Sequence, residues 1–477
     1  MPDSLTAHDH PRHDHPATAA VVLATTPASR LSCSDGTLLD RLGMQLDLLP
    51  VRDVQVLSPG GGLAADLRGV AKIARTAVSA VALVPADLVA HTEALALLLD
   101  QPAPGTGALV ALDAAAGPLR PPVRVEGGTV VAAGSSFHIV PEANATFRGL
   151  LQTAAPDLGT LAEVAEELAE LADTGKLGPV TPVETVDLLL VGLVRSGVKV
   201  RAAPLGPLHA DRVTGQHAAD VAVERLADVD EDRVRLDTSV KDDDGFFATF
   251  LVSTWTRHLI KPAARLKLTP NTVTGISIGL AVLAAVWFSA GTPGGLLLGA
   301  VLFYLSFGLD CLDGQLARYT RTFSPLGAWV DGMADRLKEY LVYAGLALGV
   351  PGPGIWRLAV AAMILQVVRH ALTHSFAGAT ADAAGSGAPW ARPARPLRES
   401  ADAASPRGLL ALARRVERMP VVRWLKRMIV LPIGERTALI CVTAAGWGAR
   451  TTFVTLLAWG GVAMTYQLLG RMARSAR

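Results

Sequence analysis

Four aspartates in the second half of the 477-residue sequence have a spacing that could support chemistry. Asp310 and Asp313 lie before the eight-residue segment 319–326, and Asp331 and Asp335 lie after this segment. Residues three, four or seven positions apart share one face of a helix, so each pair forms a stripe on its own helix. The link 319–326 is short enough to make the two helices antiparallel neighbours. We therefore expect four carboxylates to converge at one membrane interface.

Four carboxylates this close would repel one another and would be costly to remove from water. Divalent cations remove that cost, and a ligand set made only of oxygen favours a hard ion such as Mg²⁺ or Mn²⁺. Two ions could be held in such a site. These ions keep coordination positions for phosphate oxygens, so the pattern predicts chemistry on a diphosphate-linked substrate. The alternative is that the aspartates only mark the solvated end of a membrane span.

Small residues accompany the aspartates. Gly314, Ala317 and Gly327 lie on the same two faces, where they leave room for a flat or bulky group. Arg318 follows Ala317 and can neutralise a diphosphate. This combination favours a substrate site over a simple solvated boundary.

Apolar segments surround these residues. Half of the chain is hydrophobic, 18% is charged and the mean hydropathy is +0.35, which excludes a disordered or fibrous protein. Hydrophobic length predicts an all-α polytopic membrane domain of about six transmembrane helices. The predicted spans are residues 273–290, 294–309, 337–350, 355–374, 437–448 and 453–469.

Charge divides the chain into two halves. Residues 1–240 hold 18 Lys and Arg against 30 Asp and Glu, a net charge of −12, whereas residues 241–477 hold 26 against 13, a net charge of +13. Basic residues cluster before the first span, after the second, between the fourth and fifth, and at the C-terminus. Positive charge concentrates on the cytoplasmic side, so we expect a multi-pass protein of the cell (inner or plasma) membrane with cytoplasmic termini and active site. The basic segment 409–430 is either an amphipathic helix on an anionic leaflet or a solvated surface helix.

The first half has an α/β pattern. Short apolar runs at 19–24, 54–57 and 81–84 predict strands, residues 38–49 and 163–173 predict helices, and 186–194 fits either. Alternation of strands and helices favours a mostly parallel sheet with both faces covered. We therefore predict a multi-domain chain with four parts. They are a disordered His-rich tail (1–17), a cytosolic α/β domain (18–240), a juxtamembrane interfacial segment (241–272) and a membrane domain (273–477).

The spacing D-x2-D-G-x2-A-R-x8-G-x3-D-x3-D, which runs from Asp310 to Asp335, resembles the signature of the CDP-alcohol phosphatidyltransferase family at every position. The segment 269–274, which opens the first span, is similar to that family's first-helix entry. The resemblance covers roughly residues 245–477. It implies an enzyme that moves a substituted phosphate (phosphatidyl or polyol phosphate) from a CDP-linked donor, CDP-diacylglycerol or a CDP-polyol, to an alcohol acceptor, and releases CMP.

The resemblance also implies roles for individual residues. The metal ligands would be Asp310, Asp313, Asp331 and Asp335, with Asp335 also the general base that takes the proton of the acceptor hydroxyl. The residues next to the CDP group would be Gly314, Ala317, Arg318, Gly327, Asn271 and Thr274. Such enzymes work in phospholipid or inositol-phosphate biosynthesis, and the family resemblance suggests a homodimer.

Two arginines within the predicted spans are candidates for acceptor binding. Arg369 and Arg436 would suit an acceptor that bears phosphate, such as an inositol phosphate, because intramembrane arginines usually face a cavity or a partner. For Arg436, the alternative is an ion pair with the adjacent Glu435.

The first half resembles a sugar-phosphate nucleotidyltransferase domain in its order of strands and helices, with Asp87 at the position of that family's metal-binding aspartate. It departs from the family in the loop 25–30, which has no glycine, and in the absence of a lysine from 32–40. A degenerate domain kept for scaffolding, binding or regulation is therefore expected. The alternative is a bifunctional cytidylyltransferase and CDP-inositol transferase.

Two other classes remain open at this point. A membrane prenyltransferase also binds Mg²⁺-diphosphate through aspartate clusters, and a membrane-anchored scaffold would have no activity. The expected partners are the CDP-linked donor, the alcohol acceptor and membrane lipids, and no nucleic acid.

Overall fold

The computed structural model describes residues 18–34, 36–58, 60–100, 105–136, 138–240, 245–322, 325–385 and 428–475. The chain divides into two compact units, Met1–Asp237 and Thr238–Arg477. The predicted His-rich tail and residues 409–427 of the basic segment lie outside the described residues. The finer domain boundaries given above stay predictions.

An eight-stranded mixed sheet forms the centre of the first unit, in the order β4-β1-β5-β10-β7-β11-β9-β8. Six of these strands run in one direction, and β9 and β10 run against them. The strands are β1 (Thr18–Leu23), β4 (Val51–Leu57), β5 (Val81–Pro85), β7 (Gly107–Leu112), β8 (Pro122–Glu126), β9 (Thr129–Ala133), β10 (Ala145–Thr153) and β11 (Val200–Pro204). Two short antiparallel strand pairs accompany the sheet: β2 (Ser32–Cys33) with β3 (Gly36–Thr37), and β6 (Leu88–Ala90) with β12 (Ala210–Arg212).

Helices cover both faces of the sheet. They are α1 (Leu38–Asp47), α2 (Gly62–Thr76), α3 (Thr92–Leu99), α4 (Leu158–Asp173), α5 (Thr185–Arg195) and α6 (Gln216–Leu226), followed by α7 (Glu231–Ser239). Alternate residues of β1 enter different cores: Val21 packs with α2 and α4, whereas Val22 packs with α1 and α3. This two-sided burial explains the continuous apolar runs of the central strands. The predicted α/β class is confirmed.

The second unit is helical. Its long helices are α8 (Ser253–Arg265), α9 (Pro270–Ser289), α10 (Pro293–Thr320), α11 (Pro325–Leu348), α12 (Pro353–Gly385), α13 (Ile433–Trp447) and α14 (Ala449–Ser475). Thr269 caps α9 and Thr292 caps α10, each through its side-chain oxygen, and a proline follows each cap. Arg321 ends α10 in the left-handed conformation, which turns the chain toward α11.

A helix lies along each of the six predicted spans. Four helical segments are long and apolar enough to cross a membrane: Pro270–Ser289, Pro293–Thr320, Pro353–Thr373 and Ala449–Met472. The protein is therefore a membrane protein. Helix α11 carries several charged residues and α13 has only 15 residues, so the count of six spans stays a prediction.

Helix α9 packs extensively against both α10 and α11, and this arrangement positions the aspartates. Close approach is possible because glycines face the helix backbone. A Cβ atom on Gly345 would lie 2.3 Å from the carbonyl oxygen of Ala285, and one on Gly349 would lie 2.4 Å from that of Phe288. Small residues at such contacts allow backbones to touch in a membrane.

The predicted interfacial segment is helical where it is described. A π-helical turn at Ala248–Val252 leads into α8, and Trp255 donates a hydrogen bond of 2.8 Å to the Tyr304 hydroxyl on α10. Phe250 and Leu251 remain exposed, as expected of a segment at the lipid interface.

Candidate active site

Three of the four predicted aspartates converge. Oxygen atoms of Asp310 and Asp313, from the C-terminal part of α10, lie within 4.8 Å of each other and of an oxygen of Asp331 from α11. Asp313 is buried and the other two are half-buried. Three carboxylates at this separation provide oxygen ligands that can bind the same divalent cation. The donor set therefore fits a hard divalent ion.

Thr274 fixes the orientation of one of these ligands. Its hydroxyl accounts for two contacts: it donates to the carboxylate of Asp313 at 2.5 Å and lies 3.1 Å from the carbonyl oxygen of Pro270. Helix α9 thus holds Asp313 through a hydrogen bond. Thr274 supports an aspartate of the cluster, and its predicted contact with the nucleotide stays a prediction.

Lys338 is a central residue of the site that the motif did not identify. Its ammonium group hydrogen-bonds to the Asp310 carboxylate and to the Ser277 hydroxyl (3.2 Å), and forms an ion pair of 3.3 Å with Asp335. The side chain is 5% exposed. The available sequence signal was a lysine one helical turn after Asp335 within a predicted span, since intramembrane cations are usually functional.

Asp335 lies at the border between the carboxylate cluster and a cavity of about 250 Å³. Its Oδ1 atom is buried and lies 3.3 Å from the ammonium group of Lys338. The cavity is polar, with basic side chains from three helices and the carboxylates of Asp335 and Glu339 in its lining. Its lining residues are Gly332, Asp335, Arg336, Glu339, His370, Ile433 and Arg436.

Arg436 lines this cavity, as predicted for an acceptor residue, but its ion-pair partner differs from the predicted alternative. Its guanidinium forms a two-point ion pair with Glu339 on α11, with both N–O distances 3.1 Å. The Tyr343 hydroxyl donates to the same carboxylate at 2.6 Å. Glu435 instead accepts a hydrogen bond from the backbone N–H of Phe246. Adjacent residues on a helix do not face each other, which explains why Glu435 is not the partner.

Arg369 is not among the residues that line the cavity. Its guanidinium donates to the carbonyl oxygens of Val430 (2.6 Å) and Leu431 (3.3 Å), and to the Gln366 side chain at 3.2 Å. Arg369 thereby joins α12 to the start of α13. A structural role accounts for these contacts.

The residues predicted to border the CDP group lie on the helix faces around the cluster. Gly314 faces Arg318: a Cβ atom on Gly314 would have the Arg318 guanidinium as its nearest neighbour, at 3.5 Å. Arg318 itself donates through Nε to the carbonyl oxygen of Ser239 at 2.5 Å. Asn271 is exposed near the start of α9, and Ala317 and Gly327 are half-buried.

In the first unit, Asp87 is engaged in a buried ion pair. Arg212 donates to both carboxylate oxygens of Asp87, at 2.8 and 2.9 Å, and to the carbonyl oxygen of Val183 at 2.7 Å. Asp187 lies on the other side of the same guanidinium at 3.5 Å. An arginine thus occupies the place beside Asp87 where the resemblance puts a metal ion, and these residues do not fit a cation there.

Asp187 should make the stability of the first unit depend on pH. Burial raises the pKa of this carboxyl to about 7, although Arg212 acts in the opposite direction. The folded state therefore holds the proton more tightly than the unfolded state, so this contribution to stability is complete below pH 4 and is lost as the pH rises through 7. Between pH 4.5 and 7.5, the free energy of unfolding of residues 1–240 should fall by about 3 kcal/mol more than in Asp187→Asn. Urea titrations followed by far-UV circular dichroism measure both proteins, and equal pH slopes would contradict the assignment.

Comparison with known proteins gives a family match within the membrane unit. Residues 267–395 match the model of the CDP-alcohol phosphatidyltransferase family. The chain carries a CDP-alcohol phosphatidyltransferase domain. Asp310, Asp313, Asp331 and Asp335 all lie within the matched residues.

Two relatives that match part of the chain are named as transferases or synthases. A "Bifunctional IPC transferase and DIPP synthase" of Thermococcus kodakarensis is 32% identical over 152 residues, which are 31% of this chain and 33% of that protein. An "Archaetidylinositol phosphate synthase" of Pyrococcus horikoshii is 38% identical over 89 residues, which are 19% of this chain and 46% of that protein. The chain thus spans between a third and a half of the length of these two relatives.

A solved structure is similar to part of the chain at 13% sequence identity and a TM-score of 0.31: the inositol-1-phosphate CTP transferase from T. maritima. The similarity covers 44% of this chain and 96% of that protein.

Proposed function

We propose that this protein is a membrane transferase that moves a substituted phosphate from a CDP-linked donor to an alcohol acceptor and releases CMP. The observation that carries the proposal is the convergence of Asp310, Asp313 and Asp331 beside Asp335, within a domain of the CDP-alcohol phosphatidyltransferase family. The names of the relatives support an inositol-containing product.

Divalent metal would be held by Asp310, Asp313 and Asp331, and Mg²⁺ or Mn²⁺ fits their oxygen ligands. When bound, such an ion stabilises negative charge on the diphosphate. Gly314 and the Arg318 guanidinium beside it would face the nucleotide and its phosphates.

Asp335 is the proposed general base. It takes the proton of the acceptor hydroxyl as the hydroxyl oxygen attacks the phosphorus that carries the substituent. The bond from this phosphorus to the bridging oxygen breaks, and CMP leaves with that oxygen. The place of Asp335 in the lining of the cavity supports this role, because a base must lie within hydrogen-bond reach of the hydroxyl that it deprotonates.

The acceptor is proposed to be a phosphorylated polyol such as an inositol phosphate. The support is the polar cavity next to Asp335, where Arg336, His370 and Arg436 would surround an anionic group. Arg436 is the contact that we retain from the sequence-based prediction; Arg369 would act by holding the start of α13.

We further propose that the site faces the cytoplasm and that the enzyme works as a homodimer among membrane lipids. The distribution of basic residues along the sequence supports the orientation. The homodimer follows from the family resemblance.

The purified full-length protein in detergent tests the proposal. We expect CMP release from CDP-diacylglycerol or CDP-inositol with Mg²⁺ or Mn²⁺ and an inositol phosphate, and loss of release when EDTA removes the metal. Free inositol and glycerol serve as acceptors without phosphate, and product mass identifies the group transferred. Absence of CMP release with every donor and acceptor would favour a scaffold. Release of diphosphate from a prenyl donor would favour a prenyltransferase.

A degenerate first unit stays the prediction, and cytidylyltransferase activity stays its alternative. Binding of CTP to residues 1–240 tests it, and the Arg212–Asp87 ion pair leads us to expect no metal-dependent binding.

A further inference from the structure

Lys338 lies between two of the four aspartates. Its ammonium group contacts Asp310 on one side and Asp335, at 3.3 Å, on the other. Ser277, at 3.2 Å, provides a third oxygen from α9. An ammonium group has three N–H donors and no acceptor, so these three oxygens account for its bonding capacity.

The position of this cation limits what else the aspartates can bind. A divalent ion bridging Asp310 and Asp335 would need the space between the same oxygens that surround the ammonium group. An ammonium group and a divalent ion placed between the same two carboxylates would repel each other strongly. The oxygens of Asp310, Asp313 and Asp331, within 4.8 Å of one another, form a group that shares Asp310 with Lys338 and does not include Asp335.

Burial makes displacement of Lys338 costly. Its side chain is 5% exposed and is held from α9 as well as α10. A lysine that left this position would separate an ammonium group from its counterions inside the helical bundle, which carries a large desolvation cost.

We propose that Lys338 takes the place of a second divalent cation between Asp310 and Asp335, so that the aspartates hold one metal ion tightly rather than two. The inference rests on the metal-binding role in the proposed function, and it replaces the two-ion site that the sequence allows. Lys338 is then a positioning residue: it holds Asp335 at the cavity, as a second metal ion would otherwise do.

Titration of the full-length protein in detergent with Mn²⁺, followed by the electron paramagnetic resonance signal of free Mn²⁺, tests the proposal without reference to activity. We expect one tightly bound Mn²⁺ in the wild type and two in Lys338→Met, with the second ion bound at least about tenfold more tightly than in the wild type. Lys261→Met, on α8, is the matched control and should bind one. Two tight ions in the wild type, or one ion with unchanged affinity in Lys338→Met, would overturn the proposal.

A measurement on the wild type alone keeps the proposal testable if Lys338→Met does not fold. At saturating Mn²⁺ we expect the spectrum of isolated ions, and the spectrum of a spin-coupled pair would overturn the proposal. Absence of any bound Mn²⁺ would overturn the metal site itself. Absence of CMP release with one Mn²⁺ bound would contradict the proposed function, but it would not contradict the proposal of one metal ion per protein.

Discussion

Substitution Asp335→Asn is expected to lower the rate of CMP release by at least about a hundredfold, the scale of general base catalysis. Asparagine has nearly the same shape as aspartate, but its amide cannot take a proton from the acceptor hydroxyl. The three oxygens contributed by Asp310, Asp313 and Asp331 remain in place, so donor and metal binding should persist. CMP release at saturating donor and acceptor measures the rate, and calorimetry measures donor affinity.

The matched control for this substitution is Asp228→Asn, at an exposed position of the first unit. It should leave the rate of CMP release unchanged. Near-normal turnover in Asp335→Asn would contradict the assignment of Asp335 as the base. Loss of both turnover and donor binding would show instead that Asp335 is needed to assemble the site.

Substitution Glu339→Gln is expected to destabilise the membrane unit by about 3–5 kcal/mol, because it leaves the buried charge of Arg436 without its counterion. The two side chains are 4% and 8% exposed, and Tyr343 would also lose its charged acceptor. The double substitution Glu339→Gln with Arg436→Gln should be less destabilising than the sum of the single substitutions, because it removes both charges.

Tryptophan fluorescence is a suitable probe, because all eight tryptophans lie in the second half of the sequence. Denaturation in mixed detergent micelles gives the four free energies of the cycle. Arg357→Gln, at an exposed position near the start of α12, is the control and should change stability by less than about 0.5 kcal/mol. Strict additivity of the two single substitutions would contradict the coupling.

The sequence predicted those features that depend on periodicity and spacing. The length of the hydrophobic segments predicted the positions of the six helices. The spacing of the aspartates predicted that Asp310, Asp313 and Asp331 lie close together. The segment 186–194, which fitted either a strand or a helix, is the centre of α5. Short apolar runs leave this choice open because burial on all sides hides the period.

Other features depend on contacts between residues distant in sequence. The antiparallel insertion of β10 between β5 and β7 could not be predicted, since an apolar run has no information on strand direction. The pairing of Arg436 with Glu339 joins residues 97 positions apart. The prediction that α10 and α11 are direct neighbours missed α9, which packs against both of them.

The contact of Gly345 with the backbone of Ala285 has a consequence for ion selectivity. Gly345 follows Asp335 on α11 by ten residues, or about 15 Å of helix. A side chain at position 345 would push α11 away from α9. Because a helix is stiff, Asp331 on α11 would then move away from Asp313, which Thr274 of α9 holds by a hydrogen bond. Mg²⁺ requires short, nearly ideal octahedral bonds, whereas larger cations such as Ca²⁺ tolerate longer ones. In the proposed metal site, we therefore expect discrimination between these ions to depend on Gly345, which lies far from the aspartates.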